Sequence, residues 1–272
     1  MSGIVIEAQT ALVTGSSRGI GRGIALKLAE CGVKRVGVHY LKNKAAAEET
    51  VGMLRERGAE AFLVQADITK VDDIKRAFAQ TREFLGSLDV FVSSARPDVE
   101  HFYQPAFDIP LENWRVAMDS QAQAFLLGVR EAVGLMGEGG RIVAVTYAPG
   151  SRTGSWQPWV AMGSAKAALE SLCRYFAWAL AKRGITVNAV SPGATDDSVF
   201  STLPPEVLRT IRGWAEAGWV PMQRLTTPAD VGDVVALLCA KEAAFVTGQT
   251  IHVDGGASLA SSDFPLEFQT GG

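Results

Sequence analysis

Thr14-Gly15-Ser16-Ser17-Arg18-Gly19-Ile20-Gly21 follows the apolar run Ala11-Leu12-Val13 and leads into Ile24-Ala25-Leu26-Lys27-Leu28-Ala29. The order is strand, glycine-rich turn, helix. Such a turn aims backbone N–H groups and a helix N-terminus at an anion, and a dinucleotide pyrophosphate is the usual one. Gly15 permits the sharp turn, while Gly19 and Gly21 permit close backbone approach and helix-to-strand packing.

Downstream of this turn, short apolar strands alternate with longer amphipathic helices. Strands are expected at 35–39, 61–65, 90–92, 141–146, 185–190 and 250–253. Helices are expected at 42–57, 71–84, 111–136, 159–181 and 227–239. With the strand before the turn this makes seven strands in a mostly parallel sheet, covered on both faces by right-handed crossovers. No linker or repeat divides the 272 residues, so a single α/β domain spanning 1–272 is expected. The segment 194–224 interrupts the alternation after a strand's carboxyl end, where ligands bind in open α/β sheets. It reads as a substrate lid, with a packed peripheral helix pair as the alternative.

Composition narrows the function classes. A formal charge of −3 gives no reason to invoke nucleic acid or an anionic membrane. No apolar run reaches the roughly 20 residues a membrane-spanning helix needs. The first ten residues lack the pattern of a secretory leader, so a cytoplasmic protein is expected. Three cysteines far apart in sequence indicate buried thiols, and neither a disulfide framework nor a metal site.

The residues after the second strand choose between two nicotinamide cofactors. An acid there would hold the adenosine ribose and repel a 2′-phosphate. The sequence is instead His39-Tyr40-Leu41-Lys42, with no acid before Glu48. Arg18 and Lys42 can flank a phosphate as a cationic pair, which favours NADP(H). Asp67, closing the third strand, is placed either to bond the adenine amino group or to cap the next helix.

These pieces join Asp67-Ile68, Leu88-Asp89-Val90-Phe91-Val92, Gly140-Arg141-Ile142-Val143 and Lys166-Ala167-Ala168-Leu169-Glu170. Val187-Asn188-Ala189-Val190-Ser191-Pro192-Gly193 and Gly248-Gln249-Thr250-Ile251-His252-Val253-Asp254-Gly255-Gly256 complete the set. In this order and spacing the chain resembles the short-chain dehydrogenase/reductase family over nearly its whole length. The resemblance implies a doubly wound, Rossmann-like sheet and usually a homotetramer or dimer. It assigns the cofactor to Gly15, Ser17, Arg18, Gly19, Ile20 and Gly21 in the turn and to Tyr40 and Lys42 after the second strand. Asp67, Ile68, Ser94 and Ala95 follow, then Lys166 for the nicotinamide ribose, with Pro192, Gly193 and Thr195 seating the carboxamide.

The family's catalytic set is where the sequence departs. The usual Asn-Asn-Ala-Gly is Ser93-Ser94-Ala95-Arg96, the helix asparagine falls at Ser120, the serine closing the fifth strand is Tyr147, and the tyrosine four residues before Lys166 is Met162. A thioether carries no titratable proton. The layout is closer to the enoyl-acyl-carrier-protein reductase branch, where a tyrosine closes the fifth strand, as Tyr147 does, and another lies seven residues before the lysine, at Trp159. Lys166, Tyr147, Trp159 and Arg96 are therefore the candidate catalytic residues. Two acceptors need no strong acid: a conjugated C=C bond, or an iminium ion held by cation–π contacts to Trp156, Trp159, Trp214 and Trp219. The iminium reading resembles in type those family members that act in alkaloid-like specialised metabolism. A cofactor-binding cyclase or pseudoenzyme without redox turnover is the alternative outside reductase chemistry, and an enoyl-thioester or carbonyl reductase using Tyr147 a further one.

Overall fold

The computed structural model describes residues 4–147, 158–197, 200, 203–260 and 269. Its centre is a seven-stranded sheet in the order β3-β2-β1-β4-β5-β6-β7, with every strand pair parallel. The strands are β1 (Thr10–Val13), β2 (Arg35–Tyr40), β3 (Glu60–Gln65), β4 (Val90–Ser93), β5 (Arg141–Val145), β6 (Thr186–Pro192) and β7 (Thr250–Val253). β1, β5 and β6 are buried at every position, which is why they read as unbroken apolar runs.

The helices are α1 (Gly19–Glu30), α2 (Lys44–Glu56), α3 (Val71–Leu85), α4 (Leu111–Met118), α5 (Ala124–Val133), α6 (Val160–Leu180), α7 (Pro205–Trp214), which buries no residue, and α8 (Pro228–Cys239). One core cluster packs α1, α2 and α8 on one face, and a second packs α3, α5 and α6 on the other. α8 starts at Thr227 through a capping box with Asp230, whose carboxylate is gripped by both terminal nitrogens of Arg224.

The expected helix over 111–136 is not one uniform helix. A π turn at Asp119–Gln123 separates α4 from α5, and the α-helix ends at Val133. Hydrophobic periodicity alone does not see one inserted residue that keeps the axis nearly straight.

The strand order reverses between β1 and β4. The loops leaving these neighbouring strands part at their carboxyl ends and open a crevice, the usual place for a ligand in such a sheet.

Candidate active site

The crevice begins at the glycine turn. Gly15 has φ +69°, and a Cβ there would lie 2.7 Å from the Cα of Ala95. The turn therefore touches the loop leaving β4, and only glycine meets both conditions. A Cβ on Gly21 would lie 2.4 Å from the Gly15 carbonyl oxygen. Thr14 binds the two sides together: its hydroxyl accepts from the backbone N–H of Ser94 at 3.0 Å and of Ala95 at 3.2 Å. Arg18 precedes α1 without a side-chain cap, so the first N–H groups of α1 face the crevice. A tight cradle in front of an uncapped helix N-terminus fits a dinucleotide pyrophosphate.

His39 was not among the expected site residues, although it holds this cradle in shape. Its Nδ1 accepts from the Gly15 N–H at 2.9 Å, and its Nε2 lies 3.1 Å from the Ala66 carbonyl oxygen. A carbonyl only accepts, so the ring is neutral with its proton on Nε2. Complete burial depresses its pKa from 6.5 to about 4. A histidine ending an apolar strand was the only sequence signal.

The remaining cofactor candidates differ in their surroundings. Ser17 gives its carbonyl to Arg22 and Thr50, while Ile20 is partly buried in the first turn of α1. Tyr40 is packed in the core, 7 % exposed. Lys42 is exposed, with Nζ 3.6 Å from an Asp98 carboxylate oxygen. A cavity of about 340 Å³ is lined by Leu41, Asp67 and Lys70 among others. Asp67 accepts from the N–H and hydroxyl of Thr69. Partial burial opposes its ionisation, but those bonds and Lys70 hold its pKa below the ordinary value. Ile68 is partly buried beside it. At the other end, Pro192 closes β6, and a Cβ on Gly193 would press on Asp254 and Thr226. Thr195 bonds the Gly193 carbonyl and bridges to Thr226.

Beyond this cradle, Tyr147 stacks on Trp159 with ring centroids 5.1 Å apart and planes 16° apart. Phe102 and Tyr103 lie against other faces and edges of the same indole. Burial raises the Tyr147 pKa, so its phenol is a neutral donor. Met162, one helical turn before Lys166, is 2 % exposed in a small cluster with Phe102, Ala117, Ala161 and Ala165. Trp214 is 63 % exposed and outside the ring contacts around Trp159, and Trp156 lies outside the described residues.

Lys166 is buried, and its Nζ donates to the Val145 carbonyl oxygen. Arg96 donates to the Pro97 carbonyl oxygen at 2.7 Å, with its guanidinium 5.8 Å from the centre of the Phe102 ring. One turn beyond Lys166, the buried Glu170 accepts from the Thr146 hydroxyl. Burial, and then the nearby Arg96 charge, lower the Lys166 pKa from 10.5 to about 7. Burial likewise lowers that of Arg96. Ser120, where the helix asparagine was expected, bonds back to the Ala117 carbonyl, while Gln121 supports the Ala95 carbonyl. The structure thus brings Tyr147 and Trp159 together, and sets Arg96 over the Phe102 ring that packs on the same indole.

Residues 15–258 match the family model described as enoyl-(acyl carrier protein) reductase. The chain is 36% identical to 1-cyclohexenylcarbonyl-CoA reductase of Streptomyces collinus over 94% of its own length and 89% of that protein. It is 32% identical to tetrahydroxynaphthalene reductase of Pyricularia oryzae, covering 93% and 91% of the two chains. Among solved structures, the angucycline C-6 ketoreductase LanV with bound NADP superposes with a TM-score of 0.83 at 33% identity, over 96% of this chain and 99% of that one. On this sequence match and this fold, the chain belongs to the short-chain dehydrogenase/reductase family, in the branch whose model carries the enoyl-(acyl carrier protein) reductase description.

Proposed function

We propose that this protein is an NADP(H)-dependent reductase of a C=C bond conjugated with a carbonyl, of the enoyl-thioester or enone type. NADP(H) is supported by the missing acid after β2, by Arg18 and Lys42, and by the NADP bound in the LanV structure. The Streptomyces collinus relative is named for a cyclohexenylcarbonyl-CoA, whose ring alkene is conjugated with the thioester carbonyl.

The observation that carries the reading is the buried Met162, one helical turn before the buried Lys166, where the family's tyrosine would stand. Reduction of a plain ketone creates an alkoxide that needs a proton at oxygen as it forms. The family's tyrosine would supply it, and the loss of such an acid costs about 10²–10⁴-fold. Hydride addition to an enoyl β-carbon creates an enolate, whose charge is delocalised and can be held by donors before carbon is protonated. Tyr147 donates to the acyl oxygen, with its ring held by Trp159, and Arg96 adds positive potential. Bound NADPH supplies the hydride. Lys166 binds the nicotinamide ribose, as the family resemblance implies.

The iminium acceptor is the second reading, supported by the aromatic wall of Tyr147, Trp159 and Phe102. It is disfavoured because the Arg96 guanidinium already lies over the Phe102 ring. A cation already on the aromatic wall opposes a second. Segment 194–224 acts as the lid, tied by the Arg212 ion pair to Asp196. Exposed Tyr175, Trp178 and Phe245 support burial in a homo-oligomer. No helix among the described residues is long and apolar enough to cross a membrane, and we place the protein in the cytoplasm.

The test is turnover with NADPH deuterated at nicotinamide C4, offered enoyl thioesters, enones, ketones and cyclic iminium ions. Deuterium at the β-carbon of a saturated thioester or ketone is expected. Deuterium only at a carbinol or amine carbon would replace this reading with the corresponding alternative. Cofactor binding without deuterium transfer to any acceptor would leave a template or pseudoenzyme.

A further inference from the structure

The glycine turn lies between two neighbours that both run on past it. On one side His39, near the end of β2, takes the Gly15 N–H at 2.9 Å. On the other, Ala95 leaves β4 so close that a Cβ on Gly15 would lie 2.7 Å from its Cα. Lys42 stands three residues beyond His39, and Asp98 three residues beyond Ala95. Their side chains meet, with Lys42 Nζ 3.6 Å from an Asp98 carboxylate oxygen. β1 stands between β2 and β4 in the sheet, so an ion pair joining the loops that leave β2 and β4 passes over the end of β1. It spans the crevice above the turn that a dinucleotide must reach. Leu41, the residue before Lys42, lines the same cavity of about 340 Å³ as Asp67, so one anchor of the pair sits at the edge of that cavity.

We propose that the Lys42–Asp98 pair is a strap across the crevice that parts when cofactor enters, and that Asp98 is thereby a specificity-determining residue for NADP(H). The inference rests on the NADP(H) reading above and not on which bond is reduced. The strap is weak enough to part, because its two side chains are 78% and 53% exposed. An ion pair so placed shifts an equilibrium by about 5-fold at most. A cofactor with a 2′-phosphate takes over the lysine it displaces, and a charge-assisted contact to a doubly charged group replaces the lost carboxylate. A cofactor with a free 2′-hydroxyl parts the same strap and leaves Lys42 without an anion. Asp98 thus opposes the entry of both, and only the phosphate offsets that opposition.

The test is cofactor binding to the protein and to Asp98→Asn, Lys42→Met and Lys42→Arg. NADPH is read by its fluorescence and NAD⁺ by its displacement of NADPH. Asp98→Asn should tighten both cofactors by about 2–5-fold. Lys42→Met should move the two in opposite directions. NADPH should weaken by about 5-fold or more as the phosphate contact is lost, while NAD⁺ should tighten by about 2–5-fold as the strap is lost. Removing a cation otherwise weakens the binding of a dinucleotide anion, so a tightening has its source in the strap. Lys42→Arg should bring both affinities back toward wild type. NAD⁺ binding that is unchanged or weaker in Lys42→Met overturns the strap, as does NAD⁺ binding unchanged in Asp98→Asn. NADPH binding undiminished in Lys42→Met overturns the role of Asp98 in specificity. Wild-type protein that binds NAD⁺ as tightly as NADPH would sink the NADP(H) reading itself, and opposite shifts in Lys42→Met would be absent with it.

Discussion

His39 holds Gly15: the imidazole Nδ1 takes the backbone N–H of the first glycine of the turn at 2.9 Å, while Nε2–H reaches the Ala66 carbonyl. One neutral ring thereby joins the phosphate turn to the end of β3. Protonation would put a hydrogen where Gly15 needs an acceptor.

Acid stability follows with a definite sign. The folded-state pKa is about 4 against 6.5, so between these values the unfolded chain binds the proton that the folded chain refuses. Stability from this site is complete above pH 6.5 and is lost as pH falls toward 4, by about 3 kcal/mol in total. Thermal melts between pH 7.5 and 4.5 should show this loss, with a shallower slope in His39→Gln. Equal slopes would refute the assignment.

Gly15→Ala should cost both fold and cofactor. The new Cβ meets the Ala95 backbone at 2.7 Å in a left-handed conformation, so a loss of roughly 2–4 kcal/mol is expected. Chemical denaturation measures the loss, and NADPH fluorescence titration should show binding weakened along with it.

Arg18 is exposed at the mouth of the turn, apart from the Arg22 network with Ser17, Thr50 and Glu49. Arg18→Ala should weaken NADPH binding by about 10-fold, one charge-assisted contact, and leave NADH binding nearly unchanged. Isothermal titration with both cofactors decides it. Equal losses would remove Arg18 from 2′-phosphate recognition.

Met162→Tyr places a phenol one turn before Lys166. It should raise NADPH-dependent ketone reduction by 10-fold or more, as part of the 10²–10⁴-fold a general acid supplies. Tyr147→Phe should instead lower conjugated C=C reduction by about 10²-fold, the loss of one oxyanion donor. Steady-state assays on a ketone and an enoyl thioester separate the two.

Ala11-Leu12-Val13 and its partner runs were legible as buried strands because a strand covered on both faces needs apolar residues throughout, whatever its neighbours are. The glycine turn was legible because backbone conformation and close approach restrict the residue type locally. The π turn at Asp119–Gln123 was not, since an inserted residue changes which side chains face inward without breaking the apolar pattern. Tyr147 was legible as the residue that follows β5, while its stacking on Trp159 and the packing of Phe102 and Tyr103 on that indole were not.

The sequence by itself determined the parallel αβ architecture, the dinucleotide turn and the absence of a tyrosine at Met162, because each depends on residue type and spacing along the chain. Tertiary structure decided the rest. It assigned His39 to Gly15, buried Tyr40 in the core, and set Tyr147 flat against Trp159. Proton affinities depend on burial and on charges brought close by folding, and spacing along the chain carries neither.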